Sequence, residues 1–75
     1  MHRRAWDPER RFVVTVGSRW RRDEDSDRRL WHVVELWKFE QGSGRQLLAV
    51  TIERGSDIRR MSQARLIGTM REVSP

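Results

Sequence analysis

A chain of 75 residues has room for one domain, close to the size at which a single apolar core only just offsets chain entropy. Apolar and charged residues each make up 36% of it and cysteine is absent, which leaves little apolar content for long disorder and excludes both a disulfide framework and a thiolate zinc site. The net charge of +5 comes from fifteen arginines and one lysine, Lys38, set against eleven acids, a field that attracts polyanions and acidic protein surfaces alike.

Residues 1–10 lack apolar periodicity and contain Pro8, so they read as a flexible basic arm ahead of a single compact domain over 11–75. No apolar run long enough for a signal peptide or a membrane span follows Met1, so the expectation is a soluble, cytoplasmic protein with no membrane partner. Phe12, Val14 and Val16 alternate with Val13 and Thr15, the period-2 pattern of a β-strand, and place a first strand over about 11–20. Gly17 within it marks a bulge or a close backbone approach.

Between Trp20 and Trp31 the sequence is nearly mirror-symmetric: arginines at 21, 22, 28 and 29 enclose Asp23, Glu24, Asp25 and Asp27. An antiparallel pair around this loop brings the two tryptophans opposite one another. The second segment, about 30–40, fits a helical period through Leu30, Val33, Val34 and Trp37, and an alternating one through Trp31, Val33, Trp37 and Phe39. The following Gln41-Gly42-Ser43-Gly44 is a hairpin signal leading into a β-rich run over about 45–54, and it favours strand for both segments.

With Gly42 and Ser43 at the turn centre, Trp37 opposes Leu48, Glu40 opposes Arg45, Val33 opposes Ile52 and His32 opposes Glu53. Trp31, Val33, Trp37, Phe39, Leu48, Val50 and Ile52 then share an apolar face, on which Glu35 alone is misplaced and in need of a partner. Trp31 and Trp37 become the expected core pair. From Gly55-Ser56-Asp57 the signals turn helical, predicting a C-terminal helix over about 57–70 that covers the apolar face. The expected fold is therefore α+β, a three-stranded antiparallel meander with one helix packed on it. A small open β-barrel is the alternative, should 66–73 be a strand.

Catalytic chemistry finds little support. His2 lies in the arm, and His32 reads as a cross-strand partner of Glu53 with no second catalytic group beside it. Asp23, Asp25 and Asp27 occupy the first, third and fifth places of a calcium-loop pattern, but Arg28 stands where glycine is needed and Val34 where a bidentate glutamate is needed. The reading is of a protein that is not an enzyme and has neither metal nor cofactor.

What remains is arginine interleaved with tryptophan. Arginine's planar fork grips phosphate or carboxylate with two hydrogen bonds and stacks on aromatic faces. The candidate binding set is Arg19, Arg21, Arg22, Arg28 and Arg29 for phosphates, Trp20 as an exposed stacking platform, and Arg3 and Arg4 as a tether. Arg59, Arg60 and Arg65 form a second basic edge that reads as solvated surface. The leading expectation is a small basic module contacting nucleic-acid backbone, DNA or RNA, with little sequence preference. The alternative is a protein-interaction module, such as an adaptor or inhibitor of the kind a mobile element carries, docking on an acidic protein surface or forming a homodimer.

Overall fold

Five strands form one open antiparallel sheet in the computed structural model, which describes residues 11–24, 28–40, 42, 44 and 46–73. In chain order these are β1 (Arg19–Arg21), β2 (Trp31–Glu40), β3 (Gln46–Arg54), β4 (Asp57–Ser62), the helix α1 (Gln63–Thr69) and β5 (Arg71–Val73). Their order across the sheet is β4-β3-β2-β1-β5. The class is α+β, with five strands instead of the expected three. The barrel alternative is not supported, because β5 pairs with β1 and leaves β4 at the far edge. The arm over 1–10 and Ser43 at the β2–β3 turn lie outside the described residues.

The first expected strand, 11–20, shrinks to three residues. Its alternation is present, yet its backbone is satisfied by a side chain in place of a neighbouring strand. Gln63 Oε1 accepts the N–H groups of Val13 at 2.8 Å and Val14 at 3.1 Å, and Gln63 Nε2 donates to the Arg11 carbonyl at 2.9 Å. A turn over 15–18 follows, closed by the Ser18 N–H on the Thr15 carbonyl, with Gly17 at φ +94°. That conformation favours glycine. The Gly17 N–H then reaches the Val33 carbonyl at 2.8 Å, the close approach its type suggested.

Trp20 faces Trp31 in the β1–β2 ladder, as the mirror-symmetric sequence implied. In the β2–β3 hairpin, His32 opposes Glu53 and Val33 opposes Ile52 as expected. A β-bulge between Val33 and Glu35 then shifts every later pair by one, so that Trp37 opposes Ala49 and Glu40 opposes Gln46. The expected pairings of Trp37 with Leu48 and Glu40 with Arg45 are thereby corrected. The bulge has a physical cause. An unshifted β2 would drive the Glu35 carboxylate into the core, at a cost of several kcal/mol; one unpaired ladder position costs less. Glu35 is exposed, Leu36 packs against the core in its place, and Trp37 and Phe39 move to the other side of the sheet. Only Trp31 of the expected tryptophan pair is therefore in the core.

The predicted helix over 57–70 is a strand followed by a short helix. Gly55 has φ +62° and Ser56 does not have a positive φ, which is the backbone of a two-residue hairpin with glycine first. Arg54 accordingly pairs with Asp57, and β4 continues along β3 to Ser62. Ser62 is the true helix cap: its Oγ accepts the Arg65 N–H at 3.0 Å. Ser62→Ala is expected to lower stability by about 1 kcal/mol, read as a shift in the denaturant midpoint at constant m-value.

α1 and the 11–18 segment lie on the inner face of the sheet, where Val14, Trp20, Trp31, Val33, Val50, Ile52, Leu66 and Met70 form the core. The outer face carries Trp37, Phe39, Ala49, Thr51, Ile58 and Arg60, and no described element packs over it. No helix among the described residues is long and apolar enough to cross a membrane.

Candidate nucleic-acid interface

Alternation along β1 divides the predicted arginines. Trp20 is 6% exposed and belongs to the core, so it offers no open ring face and the stacking role expected of it is corrected. Its Nε1–H donates to Ser18 Oγ at 2.9 Å, which satisfies the buried indole. Arg19 and Arg21, on either side of it in the strand, therefore project toward the outer face. Arg22, one residue past β1, returns to the inner side. Arg28 and Arg29 are exposed in the loop before β2, and an Arg29 nitrogen lies 2.7 Å from where a Cβ on Gly55 would stand, so this side chain packs on the β3–β4 turn. Arg3 and Arg4 lie outside the described residues. The described members of the predicted set do not converge on one surface.

In the acidic loop, one described acid has its partner outside the loop. Asp23 pairs with Arg71 of β5, Oδ1 to Nη2 at 2.6 Å, and both side chains are exposed. Such a pair is worth about 0–1 kcal/mol. Asp25 and Asp27 lie outside the described residues, and no described group of three or more His, Cys, Asp or Glu is placed to hold a metal ion.

A different cluster of arginines does converge. An open cleft of about 900 Å³ runs between β4, α1 and the end of β1, and among the described residues it is lined by Arg22, Arg59, Arg60 and Arg65 with Glu24 as the one acid. Ser62 and Thr69 add hydroxyls to its wall, although each is also engaged in the helix, Ser62 as cap and Thr69 donating to the Arg65 carbonyl at 2.7 Å. Arg59 and Arg60 are neighbours on an edge strand and face opposite sides of the sheet, so the edge itself is cationic. Sequence reading finds Arg59, Arg60 and Arg65 as a basic edge but reads it as solvated surface, because it assigns 57–62 to a helix where the chain forms a strand. The Gly55-Ser56 pair was the signal available: glycine followed by serine between two strand-like runs is a hairpin signature.

Arginine does meet tryptophan, but with partners distant in sequence. On the inner face the Arg54 guanidinium sits 4.4 Å from the centre of the Trp31 ring and that of Arg59 5.5 Å from it. Trp31 is 2% exposed, and its Nε1–H has no acceptor among the described residues, so its role is to pack and to seat the cations. On the outer face the Arg60 guanidinium sits 4.3 Å from the Trp37 ring centre. Trp37 Nε1–H donates to Thr51 Oγ1 at 2.9 Å, and Trp37 and Phe39 lie nearly parallel, 10° between planes and 6.3 Å between centroids.

No protein-family model, curated protein sequence or solved structure matches this chain.

Proposed function

We propose that this protein binds the sugar-phosphate backbone of nucleic acid, with phosphates seated in the cleft formed by Arg22, Arg59, Arg60 and Arg65. The observation that carries the reading is the charge of that cleft: among the described residues, four guanidinium groups face it against the carboxylate of Glu24. Guanidinium forks match phosphate oxygens bidentately, and an open cleft admits a continuous polymer as readily as a small anion. The net charge of +5 adds attraction at longer range.

Self-association through the β4 edge is the reading this geometry disfavours. Antiparallel pairing of two β4 strands about their centre would set Arg59 and Arg60 of one copy beside the same residues of the other, and like charges on an edge block strand addition. Docking on an acidic protein is the second reading, favoured by Ile58, which is 63% exposed beside the cationic edge.

The test is an anisotropy titration of a labelled oligonucleotide at two salt concentrations. Binding should weaken steeply with salt, the log–log slope growing by about 0.7–0.9 for each phosphate contacted. Arg65→Ala should reduce that slope by roughly one such step. Salt-independent or absent binding transfers the proposal to the acidic protein partner.

A further inference from the structure

We infer that the outer face of the sheet is a stacking platform for unpaired bases, which makes a single strand, in preference to a duplex, the ligand of this protein. The inference rests on the phosphate-binding reading above and adds to it the chemical class of the substrate.

Four features of that face carry it. Trp37 and Phe39, two residues apart on β2, present nearly parallel rings, the arrangement on which successive planar groups stack. The first ring is held in place: Trp37 Nε1–H bonds Thr51 Oγ1, and Arg60 Nε approaches the same oxygen at 3.4 Å. Thr51 is buried beneath them although it lies on the outer side of β3, so the indole and the guanidinium form its cover. Rings fixed before binding lose little freedom on binding. The second ring is open, with Phe39 39% exposed at the end of β2.

Arg60 supplies the connection. It stacks on Trp37 on the outer face and also lines the arginine cleft. A strand whose phosphates occupy the cleft therefore has a π-surface within reach, composed of Phe39, Trp37 and the guanidinium plane itself. Guanidinium planes, like aromatic rings, accept stacked bases. Bases in a duplex are stacked on each other and present only their edges in the grooves, so this platform discriminates by strandedness. The apolar patch lies beside the Arg60 guanidinium, which suits an occupant with apolar faces and an anionic backbone, while Glu35 and Glu53 sit on the same face toward the end of the strands away from Phe39.

The experiment compares four labelled probes of equal length: an oligothymidylate, an oligouridylate, a mixed-sequence duplex, and an abasic strand that keeps every phosphate and has no bases. The wild-type protein should bind the two base-bearing strands at least about 10-fold more tightly than the abasic strand and the duplex. Phe39→Ala should weaken binding of the base-bearing strands by roughly 5- to 150-fold, the equivalent of one stack at ~1–3 kcal/mol, and leave the abasic strand unchanged. Phe39→Trp should restore the affinity. Phe39→Leu, which keeps an apolar side chain on the face, should behave as Phe39→Ala and decides the matter if the alanine variant melts early.

Equal, salt-dependent binding of all four probes overturns the stacking platform and leaves the phosphate cleft standing. Binding of none of them at low salt overturns both. A wild-type dimer that Phe39→Asp converts to monomer in light scattering also overturns the inference, since the face is then covered by a second copy.

Discussion

Gln63→Ala should lower the melting temperature by roughly 12–25 °C, the largest stability loss expected of any single substitution considered in this chain. Gln63 is fully buried, and its amide makes three hydrogen bonds to the backbone of 11–14, two as acceptor and one as donor. Each neutral bond is worth about 1 kcal/mol net, and each buried backbone group left without a partner adds about 1–3 kcal/mol, so a total of about 3 kcal/mol or more is expected. The 11–14 segment has no strand neighbour among the described residues to fall back on, and Val14, which it inserts into the core, would lose its anchor. Gln63→Met separates the contributions. It fills the volume without the hydrogen bonds, so it should destabilise nearly as much as alanine. Amide exchange at Val13 and Val14 should accelerate in both variants. A melting temperature within about 4 °C of wild type would mean that water replaces the amide without loss.

Arg59→Glu/Arg65→Glu should weaken nucleic-acid binding by roughly 100-fold or more, from two charge-assisted contacts at ~1.5–3 kcal/mol each. Arg19→Glu/Arg21→Glu is the matched control. Both double variants lower the net charge from +5 to +1, yet Arg19 and Arg21 flank the buried Trp20 and project away from the cleft, whereas Arg59 and Arg65 line it. If local geometry governs binding, the control should lose at least about 10-fold less affinity than the cleft variant. Equal losses would show that net charge alone drives association. Circular dichroism on both variants checks that the Arg59 substitution, beside Trp31, leaves the sheet intact.

The two substitutions address separate properties of one construction. Gln63 opens α1 and pins the inner-face segment, while Arg65, two residues on, lines the cleft. Helix placement therefore sets both core closure and the position of one cleft arginine. A Gln63 variant that loosens α1 should weaken binding through Arg65 as well as through stability. The two effects separate when binding is measured well below the melting range.

Several elements were legible from residue order. The alternation over 30–40 and 45–54 marks β2 and β3 to within a residue, since β-branched and aromatic side chains on a half-buried pleat leave a period of two. The mirrored arginines and acids between Trp20 and Trp31 correctly placed those tryptophans opposite each other. Glu35 was recognisable as the residue that did not fit, and the bulge forms where that misfit would otherwise be buried. The direction of the remedy was not legible. A buried partner and a shifted register both satisfy a carboxylate, and only the surrounding packing selects between them.

Local pattern thus determined the α+β class, the central hairpin and the cationic character of the chain. Tertiary structure decided which cations meet. Arg22 lies far in sequence from Arg59 and Arg65, and the three converge only because Gly55 turns the chain back along β3 and Ser62 starts a helix across the inner face. It also decided which rings are open, burying Trp20 and Trp31 and turning Trp37 and Phe39 outward by one bulge. Periodicity reports which residues share a face within an element. Which face is covered, and by which distant segment, follows from packing between elements, and that information is not local.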